Sequence, residues 1–545
     1  MPDTIDSSTL MLLLPETTLV ILAVCIYVGG AFSTVRAGWA GLALMTLSIA
    51  AFALYQQGAT LWAAGGALSE TGARISTGGM VFDALGHCFR WVGIFLGFLF
   101  VLAYLPMQRS DLFTEGLGSI IFMVVGIMVV ASAGDLITLF MGLELISIPT
   151  YVLLFIGKKD KSSAEAAAKY FFLSILASAL LLYGFSMVYG LAGTTNLSQM
   201  NAALSVQWST FGTGVLPLMP LAVVMLLAGF GFKLASVPFH FYAPDVYQAT
   251  TNVNAGLLSV APKIAGIVAL IRLSVAAVPS DSDVAWQLVI VLAGITMTVG
   301  NCAALWQKNI RRMLAYSSIA NAGYLLVGLA AALAAARHGA DAAAANDGIA
   351  AMIVYVILYS LAAFGTFSAL AYLDDSETDF TEVHQLTGFG TRHPLVACVM
   401  TICLLSLSGI PPLAGFWGKF LVFKSAVTAA SSSATGNWFW VLLVVAALNA
   451  AIAAAYYLRV IATMYFLEPK PTAQPRYLPA GSFGPGLSAI LCAALIVLGI
   501  VPGRLIEGAF NAAASASSPH DVTREAVVVP DLKTTPILAA NEEPQ

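Results

Sequence analysis

The chain has 545 residues, of which 59% are hydrophobic and only 10% are charged, and its formal net charge is −4. A soluble domain of average composition is about 25% charged, so this chain has too few charges to cover a water-exposed surface. The composition excludes a soluble, disordered or disulfide-scaffolded protein, and the negative charge argues against a nucleic-acid partner. We predict an all-α polytopic membrane protein, because the apolar segments are continuous rather than alternating as in membrane β-barrels.

Fourteen apolar segments follow one another along the chain, and each is long enough for a helix that crosses the lipid bilayer. Lysine and arginine are concentrated in the loops on one side, so the positive-inside rule places both termini on the outer, periplasmic side. The predicted spans are residues 11–31, 37–57, 79–105, 115–132, 136–157, 164–192, 215–240, 247–277, 285–306, 311–335, 347–373, 393–426, 437–466 and 484–506.

Several basic residues fall inside these spans or at their ends. Inserting a charge at the centre of a membrane helix costs about 2.5–3.5 kcal/mol. Arg272 and Lys424 lie near span ends, where a long side chain can reach the membrane surface. Arg90 and Arg459 suit structural ion-pair or hydrogen-bonding roles. The whole set is Arg90, Lys169, Lys233, Lys263, Arg272, Lys419, Lys424 and Arg459.

Four lysines, Lys169, Lys233, Lys263 and Lys419, lie deeper in their predicted spans. Lysine can lose its proton when it is desolvated, whereas arginine stays charged, so a row of buried lysines can exchange protons. Glu144 is the clearest acidic residue in the middle of a span, and a buried carboxylate needs a cation or a proton. We predict an ion pair with Glu144 from which further lysines pass protons onward. The alternative is a static salt bridge, with the other lysines facing a wet cavity.

Helix-breaking prolines interrupt two of the predicted spans close to these charges. Pro238 follows Lys233 in the seventh span, and residues 411–412 are a proline pair before Lys419 in the twelfth. Broken helices inside a membrane line cavities, and transporters place ion sites there, although a simple proline kink is the alternative. His240 lies seven residues after Lys233, on the same face of an unbroken helix, so it is either a relay member or a hydrogen-bonding residue.

The two breaks are five spans apart, which suggests two five-helix repeats, the second inverted relative to the first. We therefore predict five segments along the chain. They are an N-terminal three-helix segment (1–114), a first repeat with spans four to eight (115–277), a second repeat with spans nine to thirteen (278–466), a Pro-rich loop with the fourteenth span (467–510), and an aqueous tail (511–545).

Four motifs resemble the subunit N family of bacterial NADH–quinone oxidoreductase, or respiratory complex I, whose mitochondrial counterpart is NADH dehydrogenase subunit 2. The longest match is residues 233–248, KLASVPFHFYAPDVYQ, which is similar to the family's seventh-helix signature. The others are residues 139–149 (LFMGLELISIP), 308–320 (KNIRRMLAYSSIA) and 405–419 (LSLSGIPPLAGFWGK).

The resemblance implies fourteen helices with inverted five-helix repeats, broken at helices 7 and 12, in a proton-pumping, antiporter-like subunit of the bacterial inner (plasma) membrane. It implies adjacent antiporter-like and small membrane subunits as partners. NADH, FMN, iron–sulfur clusters and quinone are expected in other subunits, with no cofactor or metal bound by this chain. The family's key glutamate, relay lysines and histidine fall on Glu144, Lys169, Lys233, Lys263, Lys419 and His240.

This chain departs from the family pattern at a few positions, most clearly at Asn321, where histidine is usual. Asn321 cannot titrate, so a relay there needs water or a hydrogen-bonding role. The alternatives are a subunit of a multisubunit cation/proton antiporter without redox coupling, and a structural or assembly subunit. The sibling subunits L and M are disfavoured by the absence of a long amphipathic C-terminal arm and by the seventh-helix motif, respectively.

Overall fold

A computed structural model of the chain describes residues 7–33, 35–63, 75–77, 79–158, 160–211, 218–276, 283–337, 342–371, 381–431, 436–467 and 483–517. Nearly all of these residues are helical, which confirms the predicted fold class. The N-terminal elements are α1 (Ser7–Leu12), α2 (Leu14–Phe32), α3 (Arg36–Ala63), the antiparallel hairpin of β1 (Ile75–Thr77) and β2 (Met80–Phe82), α4 (Ala84–Tyr104), α5 (Phe113–Ala131), α6 (Leu136–Gly157), α7 (Lys161–Ala192) and α8 (Leu197–Phe211).

The remaining helices complete the described part of the bundle. They are α9 (Leu218–Leu234), α10 (Tyr242–Ala249), α11 (Asn252–Ala276), α12 (Val284–Trp306), α13 (Ile310–Arg337), α14 (Ala342–Ala371), α15 (Phe389–Arg392), α16 (Pro394–Ser408), α17 (Ala414–Ala430), α18 (Gly436–Phe466), α19 (Phe483–Ile500) and α20 (Gly503–Ser517). Short 3₁₀ turns cover Leu105–Arg109 and Val383–Leu386.

Eleven helices of the described residues are long and apolar enough to cross a bilayer. They are α2 to α7, α11 to α14 and α18. The pair α19 and α20, which meets at 82°, adds a twelfth if it is counted as one span, and α9 and α16 are shorter apolar helices. The chain is thus a multi-pass membrane protein, and the count of fourteen spans stays a prediction.

Three helices, α11, α13 and α14, form the centre of the bundle, and nearly all of their residues are buried. Small residues allow this close packing. A Cβ added at Gly348 of α14 would lie 2.6 Å from the carbonyl oxygen of Gly328 on α13, so both backbones meet directly there. Outer helices such as α2, α3, α7 and α18 bury only about a third of their apolar stretch. Polar side chains on the central helices are therefore enclosed by protein rather than by lipid.

Both predicted breaks are places where a helix ends in the structure. Helix α9 ends at Leu234, Ala235 has φ of 56°, and α10 begins only at Tyr242. Helix α16 ends at Ser408, where Gly409 has φ of 85° and donates its N–H to the carbonyl oxygen of Leu405 at 3.1 Å. Glycine tolerates this left-handed conformation, which closes helices at their C-termini.

The predicted aqueous tail is wrong for residues 511–517, because α20 continues to Ser517. This helix packs on α4 and α14, and its hydroxyl at Ser515 accepts the N–H of Leu85 at 3.2 Å. The buried face is made of small residues, which do not produce a continuous apolar segment in the sequence. It consists of Ala509, Ala512, Ala513, Ser515 and Ala516. Residues 518–545 of the tail and 468–482 of the Pro-rich loop lie outside the described residues.

The structure also places the basic residues at the span ends. Arg272 does not reach the membrane surface as predicted: it is buried and forms an ion pair with Asp83 at 2.5 Å. Arg90 pairs with buried Glu16 at 2.6 Å, which confirms its predicted structural role.

The two remaining basic residues of this group lie near the surface. Arg459 donates to the carbonyl oxygens of Leu305 and Gln307 at 2.6 and 2.9 Å, which confirms its predicted hydrogen-bonding role. Lys424 stays half exposed, 3.5 Å from Asp347.

Candidate functional site

Glu144 and Lys233 form the ion pair that the sequence predicts. The Nζ atom of Lys233 lies 3.6 Å from Oε1 of Glu144, and the lysine side chain is only 4% exposed. The hydroxyl of Ser178 on α7 donates to the same Oε1 atom at 2.6 Å. The amine of Lys233 also donates to the hydroxyl oxygen of Ser147, one turn after Glu144 on α6. The amine nitrogen and the carboxylate oxygen are therefore close enough for an ion pair but farther apart than in a direct hydrogen bond.

The position of Lys233 follows from the break in its span. It lies in the last turn of α9, where unpaired carbonyl groups favour a positive charge. Helix α9 packs against α7 and α11, and Gly266 of α11 faces the lysine stem: a Cβ added there would lie 3.4 Å from Cβ of Lys233. Lys263 is three residues before Gly266, on the same face of α11. The ion pair therefore adjoins the central helix that carries the next lysine.

Lys263 lies in the centre of the bundle, 2% exposed. Its amine donates to the carbonyl and hydroxyl oxygens of Ser318 on α13, and lies 5.0 Å from the centre of the Tyr359 ring on α14. The Tyr359 hydroxyl in turn donates to the Ser318 hydroxyl at 2.8 Å. These partners are uncharged, so they accept hydrogen bonds from either the protonated or the neutral amine.

Asn321 and Tyr355 lie beside this group, one turn after Ser318 on α13 and one turn before Tyr359 on α14. The hydroxyl of Tyr355 donates to Oδ1 of Asn321 at 2.7 Å, and the Asn321 amide donates to the carbonyl oxygen of Ser317 at 2.9 Å. The ring of Tyr355 contacts that of Tyr324 edge-on, with centroids 6.3 Å apart. Asn321 thus has the hydrogen-bonding role that the sequence left open.

Lys419 lies at the far end of the row, in the second turn of α17. Its amine donates to the carbonyl oxygen of Ser408 at 2.8 Å, and lies 5.0 Å from the centre of the Tyr324 ring. Ser408 is the last residue of α16, so the lysine binds the negative end of that helix. The break at residues 409–413 makes this carbonyl available, because no following helical turn uses it.

Two predicted site residues lie outside this row. Lys169 is not buried as predicted: its side chain is 45% exposed and pairs with Glu165 at 2.8 Å and Asp245 at 3.3 Å. His240 is half buried in the non-helical stretch after α9, so the shared face expected for an unbroken helix does not apply to its spacing from Lys233.

Comparisons with known proteins identify the family. Residues 133–449 match the family model described as "NADH:quinone oxidoreductase/Mrp antiporter, TM". The chain is also similar to NADH-quinone oxidoreductase subunit N of Desulforamulus reducens, with 40% identity over 412 residues, covering 76% of this chain and 80% of that protein. The chain belongs to the NADH-quinone oxidoreductase subunit N family. Glu144, Lys233, Lys263 and Lys419 all lie within the region that matches the family model.

Solved structures agree with membership of the subunit N family. A chain of respiratory complex I from Thermus thermophilus with bound aureothin is 28% identical, with a TM-score of 0.71, and the match covers 90% of this chain and 98% of that one. A chain of the Mrp complex from Dietzia sp. DQ12-45-1b also has a TM-score of 0.71, at 21% identity. The second likeness shows a common fold, so the helical architecture alone does not separate these two kinds of complex.

The subunit N motifs contain Glu144, Lys233 and Lys419, whereas sequence reasoning missed the neutral residues that bind the charged groups. Serine and tyrosine are common in membrane helices, so only the three-dimensional arrangement separates the residues at the site from the others. The missed contacts are Ser147, Ser178, Ser318, Tyr324, Tyr355, Tyr359 and Ser408. Two buried acidic residues were missed as well, Glu16 and Asp83, both in structural ion pairs.

Among the described residues, no group of three or more His, Cys, Asp or Glu side chains is placed to hold a metal ion. All six cysteines are free. The expectation that cofactors belong to other subunits stays a prediction for this member of the subunit N family.

Proposed function

We propose that this chain is a proton-translocating membrane-arm subunit of an NADH–quinone oxidoreductase in the bacterial inner membrane. The observation that carries the proposal is the row of buried lysines that begins at the Glu144–Lys233 pair and continues through Lys263 to Lys419. Charges inside a membrane are costly, and a static salt bridge does not account for two further buried lysines with uncharged partners.

The relay begins at the ion pair. When Glu144 moves away from Lys233, the protonated lysine loses the charge that stabilises it and releases its proton toward Lys263. Tyr359, Ser318, Asn321 and Tyr355 supply hydroxyl and amide groups between Lys263 and Lys419, and water completes the path where direct contacts are absent. Each charge moved outward works against about 2.3 kcal/mol per 100 mV of membrane potential.

Lys169 and His240 belong to the intake side in this proposal. Lys169 is exposed and paired with Glu165 and Asp245, which suits a residue that takes protons from water rather than one that stores them. His240 lies after the end of α9, and its imidazole is a group that can accept and release a proton. Both residues would reload Lys233 after it has released its proton.

The remaining features of the proposal concern the assembly. Other membrane-arm subunits and the lipid bilayer cover the apolar exterior, both termini face the periplasm, and spans four to eight and nine to thirteen form inverted repeats at residues 115–277 and 278–466. Oxidation of NADH and reduction of quinone take place in other subunits, which hold FMN and the iron–sulfur clusters. This chain acts as part of the translocase without a redox site of its own.

Substitution of Lys233 in the assembled enzyme tests the proposal. Lys233→Met keeps most of the length of the side chain but removes the titratable group, so NADH-driven proton uptake into vesicles should fall while the assembled complex is retained. Lys424→Met, at a half-exposed lysine of α17, is the matched control and should pump normally. An unchanged ratio of protons to electrons in Lys233→Met would contradict the relay.

The family description also covers Mrp antiporters, so a cation/proton antiporter subunit is the second candidate. Affinity purification of the chain in mild detergent separates the two. Partner chains that bind NADH and FMN support the oxidoreductase, whereas a complex without flavin or iron–sulfur centres that exchanges cations for protons supports the antiporter.

A further inference from the structure

Two serines on different helices contact the two charges of the central ion pair. Ser178 of α7 donates its hydroxyl proton to Oε1 of Glu144 at 2.6 Å, and the same Oε1 atom is the one that lies 3.6 Å from Nζ of Lys233. The hydroxyl and the amine therefore share one carboxylate oxygen, which has a lone pair for each of them. Hydrogen bonds from a hydroxyl to a carboxylate are short and strong, so Ser178 fixes the orientation of this oxygen relative to the ammonium.

Ser147 contacts the lysine from the other side. Its hydroxyl donates to the carbonyl oxygen of Leu143 at 2.8 Å, so its proton is engaged in the α6 backbone and its lone pairs are left to accept. The amine of Lys233 donates to this oxygen. Ser147 is buried and three residues from Glu144, so it offers Lys233 an uncharged acceptor next to the carboxylate.

We propose that Ser178 and Ser147 are positioning residues that keep Glu144 and Lys233 as an open ion pair, with each charge bound by its own hydroxyl. This inference rests on the proposed proton relay, which it deepens by stating what sets the strength of the pair. An open pair releases a proton with a small change in geometry, whereas a closed pair at about 2.8 Å holds the proton against release. The serines are thus what makes the pair responsive to a signal from the rest of the complex.

Other titratable groups near Glu144 and Lys233 do not take over the positioning role of Ser178. Tyr151 on α6 and Tyr170 on α7 are the further groups that interact electrostatically with Glu144, and α11 presents Gly266 to the lysine stem, with Lys263 one turn away. The Tyr151 hydroxyl is engaged with Ser174, at 2.7 Å. Among the described residues, Ser178 is therefore the side chain, besides Lys233, that binds the Glu144 carboxylate directly.

Ser178→Ala in the assembled oxidoreductase tests the inference through the pH dependence of proton pumping. Without the hydroxyl, the carboxylate takes the ammonium as its donor and the pair closes, so the lysine holds its proton more tightly. The pH profile of NADH-driven pumping should move to alkaline pH by about one unit, a tenfold slower release at neutral pH. Ser178→Thr keeps a hydroxyl and should restore the original profile, a rescue that a purely structural role does not require.

Two further variants complete the test. Ser147→Ala closes the pair from the lysine side and should shift the profile in the same direction, so it decides the question if Ser178→Ala does not assemble. Ser186→Ala is the matched control on α7, because that exposed hydroxyl donates to the carbonyl oxygen of Tyr183 at 2.8 Å, within its own helix and away from the pair. It should leave the profile unchanged.

The outcomes separate this inference from the relay itself. If Glu144→Gln lowers pumping but Ser178→Ala and Ser147→Ala both keep the original pH profile, the serines do not position the pair and the relay stands. If Glu144→Gln also pumps normally, the relay is wrong and the inference falls with it. An alkaline shift in the alanine variants, reversed in Ser178→Thr, supports both.

Discussion

The amine of Lys263 is bound by both the carbonyl and the hydroxyl oxygen of Ser318. Neither oxygen carries a formal charge, and the third partner is the ring of Tyr359, 5.0 Å away. A neutral amine still donates two hydrogen bonds, so Lys263 can lose its proton without leaving a carboxylate unpaired inside the bundle. This site differs from the Glu144–Lys233 pair, where proton release leaves a negative charge behind.

Lys263→Met should therefore lower proton pumping about a hundredfold, the low end of what one positioned proton-transfer group contributes. Lys263→Arg should lower it as well, because arginine keeps its proton and cannot pass it on. Proton uptake by vesicles, normalised to NADH oxidation, measures both. Normal pumping by the arginine variant would show that this position needs a charge but not a transferable proton.

Removal of the Tyr355 hydroxyl tests the connection between Lys263 and Lys419. Tyr355→Phe leaves the ring in place but deprives Oδ1 of Asn321 of its donor at 2.7 Å. A buried acceptor without a partner costs about 1–3 kcal/mol, so thermal stability should fall slightly and pumping clearly. Tyr456→Phe is the control, because its hydroxyl donates to buried Asn301 at 3.1 Å, in the neighbouring α12–α18 contact. Equal pumping defects in the two variants would argue that stability alone is responsible.

The sequence was sufficient to predict the all-α class and to find the few charged residues within the apolar segments, because both depend on composition over short segments. It was not sufficient for the partners of those charges. Arg272 and Asp83 are 189 residues apart, and no local pattern specifies that their helices meet. The burial of Lys169 was predicted wrongly for a related reason. The sequence shows how far this residue lies from the ends of its apolar segment, but it does not show which face of the outer helix α7 points away from the bundle.

The break after α9 shows the same limit. Pro238 predicts a disrupted helix, and in the structure the helix ends four residues earlier, at Leu234, while α10 begins only at Tyr242. The seven-residue spacing of Lys233 and His240 was interpreted with the geometry of a continuous helix, which does not apply across that stretch. Helix α20 was missed for a different reason. Its buried face consists largely of alanines, which pack closely but do not produce the continuous apolar segment from which a buried helix is predicted.

Gly409 offers a test of how the twelfth-span break positions Lys419. Its φ of 85° strains any L-residue by about 1–2 kcal/mol, and a Cβ there would lie 2.8 Å from Cδ of the lysine. Gly409→Ala should move the amine away from the Ser408 carbonyl and reduce pumping. Gly193→Ala is a matched control, since Gly193 also has a positive φ, of 69°, but open space at the Cβ position. A similar loss of pumping in both variants would attribute the effect to backbone strain rather than to Lys419.

The Asp83–Arg272 pair should behave as a structural element, in contrast to the lysine row. Arg272 binds both carboxylate oxygens of Asp83, at 2.5 and 2.8 Å, and the carbonyl oxygen of Ala131, and so joins α11 to the start of α4 and the end of α5. Arg272→Met leaves the carboxylate buried and unpaired, which costs about 3–5 kcal/mol. The amount of assembled complex and its thermal stability should fall, while protons pumped per electron in the remaining complex stay unchanged.

A second substitution checks this explanation. Asp83 also caps α4 by accepting the N–H of Gly86 at 2.7 Å, and asparagine is an equally good cap. The double variant Asp83→Asn, Arg272→Met should therefore recover part of the lost stability, because no buried charge remains. Arg36→Met, in an exposed pair with Asp111 at 3.0 Å, should change stability little. A lower proton-to-electron ratio in Arg272→Met would instead place this pair in the proton path.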